Sequence, residues 1–158
     1  MKKAAHIDYG KALLMMCDLC ARAEQCESDL RLKMMRKGLD AAGIDRVIDY
    51  LYENNYLNEE RFAKAYARDK HRFNGWGRLK LRIMLAAKGV GREAVTEALA
   101  SLDEEEYAGI LSRLAASKAR TLDLSEHADR QKLLRSLYGR GFEPALIIPV
   151  IKRLQKND

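Results

Sequence analysis

Proline is almost missing from this chain: Pro144 and Pro149 are the only two in 158 residues. Strong helix breaking is therefore confined to the C-terminal end, and frequent Leu, Ala, Lys, Arg and Glu favour helices throughout. Long apolar runs are also lacking, and none approaches the roughly 18 residues that a membrane span needs. The start, Met1-Lys2-Lys3-Ala4-Ala5-His6, is basic, but Asp8, Tyr9 and Gly10 interrupt any signal-peptide core. A soluble, cytoplasmic protein without membrane contact is expected. Cysteine is scarce and odd in number, with Cys17, Cys20 and Cys26 all near the N-terminus. Without a secretion signal these read as reduced thiols, buried or half-buried. The Cys17-x2-Cys20 pair has no second ligand pair at suitable spacing, so no metal is expected.

Catalytic patterns are absent too. There is no G-x-x-x-x-G-K-S/T and no G-x-G-x-x-G after a strand. His71 lacks an acidic partner at helical spacing, which predicts a surface or contact residue rather than a general base. Glu104, Glu105 and Glu106 suit a helix N-terminus, where acids are stabilised, better than a metal cluster. No catalytic residue and no cofactor is expected, and the chain does not read as an enzyme.

What is present is a succession of helix signals. Residues 1–10 read as an N-terminal arm. A helix from Lys11 to about Glu24 would turn Leu13, Leu14 and Cys17 inward, with Cys20 or Ala21 beside them. Ser28 is a candidate cap for a second helix that reaches Lys37 and stops at Gly38. A third, from Gly43 or Ile44 to Glu53, carries Ile44, Val47, Ile48 and Leu51 as one amphipathic stripe. Further helices are expected over about 92–101, 103–119 and 125–138. The last starts at Glu143-Pro144, where proline suits the first turn, and Pro149 should interrupt or kink it.

The punctuation repeats. Lys37-Gly38-Leu39, Lys88-Gly89-Val90 and Arg140-Gly141-Phe142 are each a basic residue, a glycine and an apolar residue, with the glycines 51 and 52 positions apart. Nine helices at a period near 50 predict an all-α fold of three tandem three-helix repeats, in which one unit cannot bury its core alone. The repeats are placed at residues 11–57, 58–102 and 103–158.

The chain centres on Leu57–Val90. Asn58 is a good N-cap, with Glu59 and Glu60 favourable in the first turn. Phe62, Tyr66 and Phe73 fall at helical spacing and predict a buried stripe, while Arg61, Lys64, Arg68 and Arg72 recur on another face. Gly75-Trp76-Gly77 reads as a tight connection to a helix from Arg78 to Lys88, which Gly89 ends. Trp76 could stack on a base or plug the junction between repeats, and its large apolar area favours packing. Residues 1–57 carry nine basic and nine acidic side chains, residues 58–102 carry ten and five, and residues 103–158 carry ten and nine. The middle repeat therefore holds five of the six net positive charges, a field suited to phosphates or to an acidic protein face.

The run Leu57-Asn58-Glu59-Glu60-Arg61-Phe62-Ala63, followed by Tyr66, Arg68, Gly75, Leu85 and Lys88-Gly89-Val90, resembles the central repeat of the RecX family. Asn58-Glu59 departs mildly from the family's usual Asp/Asn-Asp. The resemblance covers roughly residues 11–155, is looser in the outer repeats, and is weakest over Ser117–Ala128. It implies an elongated, curved, right-angled helical array that binds RecA nucleoprotein filaments and inhibits RecA's filament extension, ATP hydrolysis and strand exchange. That places the chain in recombination, DNA repair and the SOS response. DNA itself would be bound weakly alone, and the chain would be a monomer. The contact residues expected for filament or DNA are Arg61, Lys64, Arg68, Arg72, Arg78, Lys80, Arg82 and Lys88, with Trp76 as a possible contact aromatic. A general DNA-binding helical protein without a RecA partner, or a helical scaffold for other proteins, would carry the same charge pattern.

Overall fold

The computed structural model describes residues 6–157, and its regular structure is helical: among the described residues there is no strand. Among these residues nine helices follow in order: α1 (Tyr9–Arg22), α2 (Glu27–Arg36), α3 (Ala41–Glu53), α4 (Glu59–Asn74), α5 (Arg78–Ala87), α6 (Arg92–Ala100), α7 (Glu104–Ala119), α8 (His127–Gly139) and α9 (Pro144–Lys156). They form an elongated array of three-helix units, because the closest helix packing is within successive triplets. The expected arm at residues 1–10 lies partly outside the described residues, and α1 begins within it at Tyr9.

Each triplet opens in the same way. Asp8, Asn58 and Asp103 cap α1, α4 and α7, accepting hydrogen bonds from Lys11 N (2.9 Å), Arg61 N (2.9 Å) and Glu106 N (2.8 Å). Such a side chain satisfies one of the donors left unpaired at a helix start. Each second helix ends at one of the three repeated glycines, with φ of 85° at Gly38, 81° at Gly89 and 96° at Gly141. Only a residue without Cβ takes this left-handed conformation at little cost.

Several expectations are corrected. Ser28 does not cap α2: the helix starts at Glu27, Cys26 occupies the cap without a side-chain bond, and the Ser28 hydroxyl donates instead to Lys88 O at 2.7 Å. On α1 the buried residues are Ala12 and Met16, whereas Leu14 is 73% exposed. One helical position of rotation accounts for the difference, since Leu13, Cys17 and Cys20 only flank the buried stripe. Pro149 does not end α9, which runs on to Lys156. Buried Ile147, Val150 and Ile151 hold this segment to the core, and packing of that kind offsets one missing backbone hydrogen bond.

The apolar interior has two parts. Ala12, Met16, Leu30, Met34, Val47, Ile48 and Leu51 form the core of α1–α3. A second, continuous core runs from α4 to α9, joining Phe62, Leu81, Leu85 and Leu99 to Tyr107, Leu133, Phe142 and Ile147. Cys26 is the first-triplet residue that reaches into it. The second and third triplets thus share an interior, while the first meets them mostly through polar contacts.

The junctions reuse one device. The carbonyl of the basic residue in each Lys/Arg-Gly-apolar turn accepts a hydrogen bond from the segment before it: Lys37 O from Ile7 N (3.0 Å), Lys88 O from Ser28 Oγ (2.7 Å), and Arg140 O from Gly77 N (2.8 Å). The start of one second helix therefore seats on the end of the next. At the third turn Leu79 N also donates to Gly141 O at 2.9 Å.

Candidate functional site

Helix α4 ends at Asn74 because Gly75 turns left-handed (φ 66°), its N–H bonding to His71 O and the Trp76 N–H to Lys70 O. Gly77 then serves as N-cap of α5 with no side chain to offer. The missing cap comes from the third triplet: the Arg78 N–H donates to the Tyr107 hydroxyl at 3.0 Å, and that hydroxyl donates to Glu143. Burial, and then the Glu143 carboxylate, push the Tyr107 phenol well above the usual tyrosine range.

His71 is corrected from surface to core. It is 2% exposed and stacks on Tyr107 with ring centroids 4.8 Å apart. Its Nδ1 lies 2.8 Å from the carbonyl oxygen of Trp76, which makes Nδ1–H the donor and leaves the buried Nε2 without a partner. Desolvation holds its pKa below the ordinary histidine value. Phe73 is corrected the other way: expected in the buried stripe, it is 82% exposed. The inward stripe of α4 is Ala63, Ala67 and His71, whose short neighbours leave room for the aromatic stack, with Phe62 at its edge. Phe62, Tyr66, Lys70 and Phe73 instead line a groove of about 380 Å³ against Ala23 and Glu24.

Of the eight basic residues expected at the site, five engage carboxylates of this same chain. Arg61 bonds Glu24 (2.9 Å) and Asn55 (2.8 Å). Arg68 meets its neighbour Asp69 at 3.2 Å. Arg72 forks onto Glu106, and this guanidinium holds the Glu106 carboxyl below the usual range. Arg78 reaches Glu143 (2.9 Å) and Glu104 (2.7 Å) while lying 3.8 Å over the Tyr107 ring. Lys88 pairs with Asp29 at 3.0 Å. That ammonium, with a Cys26 contact, outweighs the burial that alone would raise Asp29 and leaves its carboxyl lowered. Lys64, Lys80 and Arg82 have no carboxylate partner among the described residues. Lys64, Arg68 and Arg72 line one shallow pocket on α4, rimmed by Asp103 and Glu106.

Trp76 is half-buried against the second core and 6.3 Å from the Tyr66 ring. Lys80 Nζ lies 4.6 Å from its centroid and Lys70 Nζ 5.2 Å. Lys70 escaped the sequence reading, although it stands four residues after Tyr66 on the aromatic stripe. Cys17 and Cys20 are half-buried, Cys26 is buried, and all three are free thiols. Desolvation, then Cys17, push Cys20 up to about 11, which keeps it a thiol at neutral pH. Among the described residues no group of three His, Cys, Asp or Glu side chains is placed to hold a metal ion, and no helix is long and apolar enough to cross a membrane.

Residues 58–99 match the family model described as "RecX, second three-helix domain". The regulatory protein RecX of Chlorobaculum tepidum is 32% identical over 152 residues, covering 96% of this chain and 89% of the relative. The chain belongs to the RecX family. The regulatory protein RecX of Clostridium perfringens is 32% identical over 136 residues, which is 84% of this chain but 63% of the relative. The chain thus spans less than two thirds of the length of the clostridial RecX proteins it matches. The crystal structure of RecX from Lactobacillus salivarius shares the fold, with a TM-score of 0.79 at 18% identity over 92% of this chain and 96% of that one. The segment matched as the second RecX domain contains all eight expected basic residues, Trp76 and Lys70.

Proposed function

We propose that this protein is a non-enzymatic regulator that binds RecA nucleoprotein filaments and restrains RecA's filament extension, ATP hydrolysis and strand exchange. The observation that carries the reading is membership of the RecX family together with a positive field concentrated in the middle repeat. In this reading the repeats are 11–57, 58–102 and 103–158. The middle one meets filament DNA or an acidic RecA surface, and the outer two span adjacent RecA protomers. An elongated frame suits a partner that is itself extended and repeated. The protein acts as a monomer in the cytoplasm, where RecA meets DNA.

Internal pairing divides the basic residues by role. Lys64, Lys80 and Arg82 are available to a partner, and exposed Arg68 needs only to leave its neighbour Asp69. Arg61, Arg78 and Lys88 act mainly by joining repeats.

The test is RecA's single-stranded-DNA-dependent ATPase, titrated with this protein below one copy per RecA and compared with naked-DNA binding in the same salt. Inhibition well below the amount that coats the DNA supports the reading, and reversal of charge at Lys64, Arg68 and Arg82 should weaken that inhibition. Inhibition only at saturating coverage would favour a general DNA-binding protein, whose affinity falls steeply with salt.

A further inference from the structure

Charge does not explain the aromatic side of α4. A single exposed aromatic is ordinary, but a contiguous set beside unneutralised cations marks an interaction site. Phe62, Tyr66, Lys70 and Phe73 follow one another at helical spacing along a single groove, and Phe73 is 82% exposed there. The Phe62 and Tyr66 centroids are 5.7 Å apart, and Trp76 continues the series 6.3 Å from Tyr66. Three ammonium groups border these rings: Lys70, 5.6 Å from Tyr66 and 5.2 Å from Trp76; Lys80, 4.6 Å from Trp76; and Lys88, 5.9 Å from Tyr66 and already paired with Asp29. Of the carboxylates lining the groove, Asp69 meets Arg68, and Glu24 meets Arg61 through Oε1 while its buried Oε2 has no partner. The groove is therefore apolar and aromatic along its floor, with Lys70 at its edge and Lys80 beyond it beside Trp76.

We propose that this groove, together with the adjoining Trp76 and Lys80, is a base-stacking site for single-stranded nucleic acid, with bases against Tyr66, Phe73 and Trp76 and phosphates on Lys70 and Lys80. Aromatic faces accept any base, and lysines track the backbone, so such a site is tolerant of sequence. A duplex keeps its bases stacked on one another and cannot offer them to these rings. The site therefore selects single strands over duplex, a discrimination that a purely cationic surface lacks. This deepens the filament-binding reading and rests on it for its biological setting.

The experiment uses the full chain, a labelled oligothymidylate and a duplex of equal length at fixed salt. Trp76 is the only tryptophan and stands 6.3 Å from the groove's Tyr66, so its fluorescence reports on the site. Oligothymidylate should quench Trp76 while duplex does not. Phe73→Ala, an exposed position that leaves the core intact, should weaken oligothymidylate binding by about 5- to 150-fold, the range of one base–aromatic stack. Lys70→Gln with Lys80→Gln should weaken it and flatten its salt dependence, and Leu14→Ala, at an exposed position outside the groove lining, should change nothing. Equal quenching by duplex, unaltered affinity of Phe73→Ala, or quenching by an apolar helical peptide in place of oligothymidylate would overturn the proposal. The two readings fail separately. A wild-type protein that inhibits RecA without single-strand preference sinks only this one. Selective single-strand binding without RecA inhibition sinks only the filament reading.

Discussion

Gly77 and Gly141 touch backbone to backbone: the Gly77 N–H donates to Arg140 O at 2.8 Å, and a Cβ built on Gly77 would overlap the carbonyl of Gly141. The reverse holds as well, since a Cβ on Gly141 would collide with Lys80. Two turns, Gly75-Trp76-Gly77 and Arg140-Gly141-Phe142, meet here because neither carries a side chain at the point of approach. The second and third triplets can share one interior only at this separation.

Gly77→Ala should therefore destabilise the protein by about 1–3 kcal/mol, the usual cost of forcing extra volume into a packed junction. Its φ of −85° is ordinary, so the cost is steric. Gly89→Ala meets open space but holds φ 81°, and should lose about 1–2 kcal/mol through backbone strain alone. Gly109→Ala, exposed within α7 with nothing near, should stabilise by about 0.5–1 kcal/mol. Urea midpoints rank the three, and a Gly77→Ala protein as stable as wild type would remove the steric account.

Arg78 should behave as a structural residue. It joins two carboxylates and the Tyr107 ring with 19% of its side chain exposed. Arg78→Leu leaves Glu143 half-buried without its cation and should cost about 2 kcal/mol, whereas Arg82→Leu at an exposed, unpaired position should stay within about 0.5 kcal/mol. A double-mutant cycle with Glu143→Gln should show coupling, and additive losses would refute the junction role.

Acid should loosen the stack around His71. An unfolded histidine titrates near about 6.5, and burial holds the folded value lower. The unfolded chain thus takes up the proton first as pH falls. Stability from this group is complete above about pH 6.5 and declines below it, by at most about 1.4 kcal/mol per pH unit, until the folded pKa is passed. Thermal midpoints at pH 7.5 and 5.5 should separate for wild type and draw together for His71→Phe.

The first triplet should open on its own. Its interior is separate, and Ser28, Asp29 and Glu24 hold it to the second triplet through Lys88 and Arg61. Hydrogen exchange should give α4–α9 one common opening free energy and α1–α3 a lower one. Salt should widen the gap by screening the half-exposed pairs. A single value across all nine helices would show that the polar junction is as cooperative as the shared core.

The helices and their order were legible in the sequence because their signals act over three or four residues. Asn58, the acids of the first turns, the three repeated glycines and the Ile44–Leu51 stripe each reported a local fact. The concentration of charge in the middle repeat was equally plain. Ser28 misled because a cap and a junction donor use the same hydroxyl, and only the neighbouring Lys88 carbonyl decides between them.

Tertiary structure alone decided which face of α4 is buried and which cations are free. His71 and Phe73 sit two residues apart on helical stripes that both carry apolar groups, and the arrival of Tyr107 from α7 determines which goes inside. Arg78 finds Glu143 across 65 residues, and Arg61 finds Glu24 across 37. A charge is visible in a sequence, but its neutralisation depends on a partner brought near by packing, and packing is set by the whole chain.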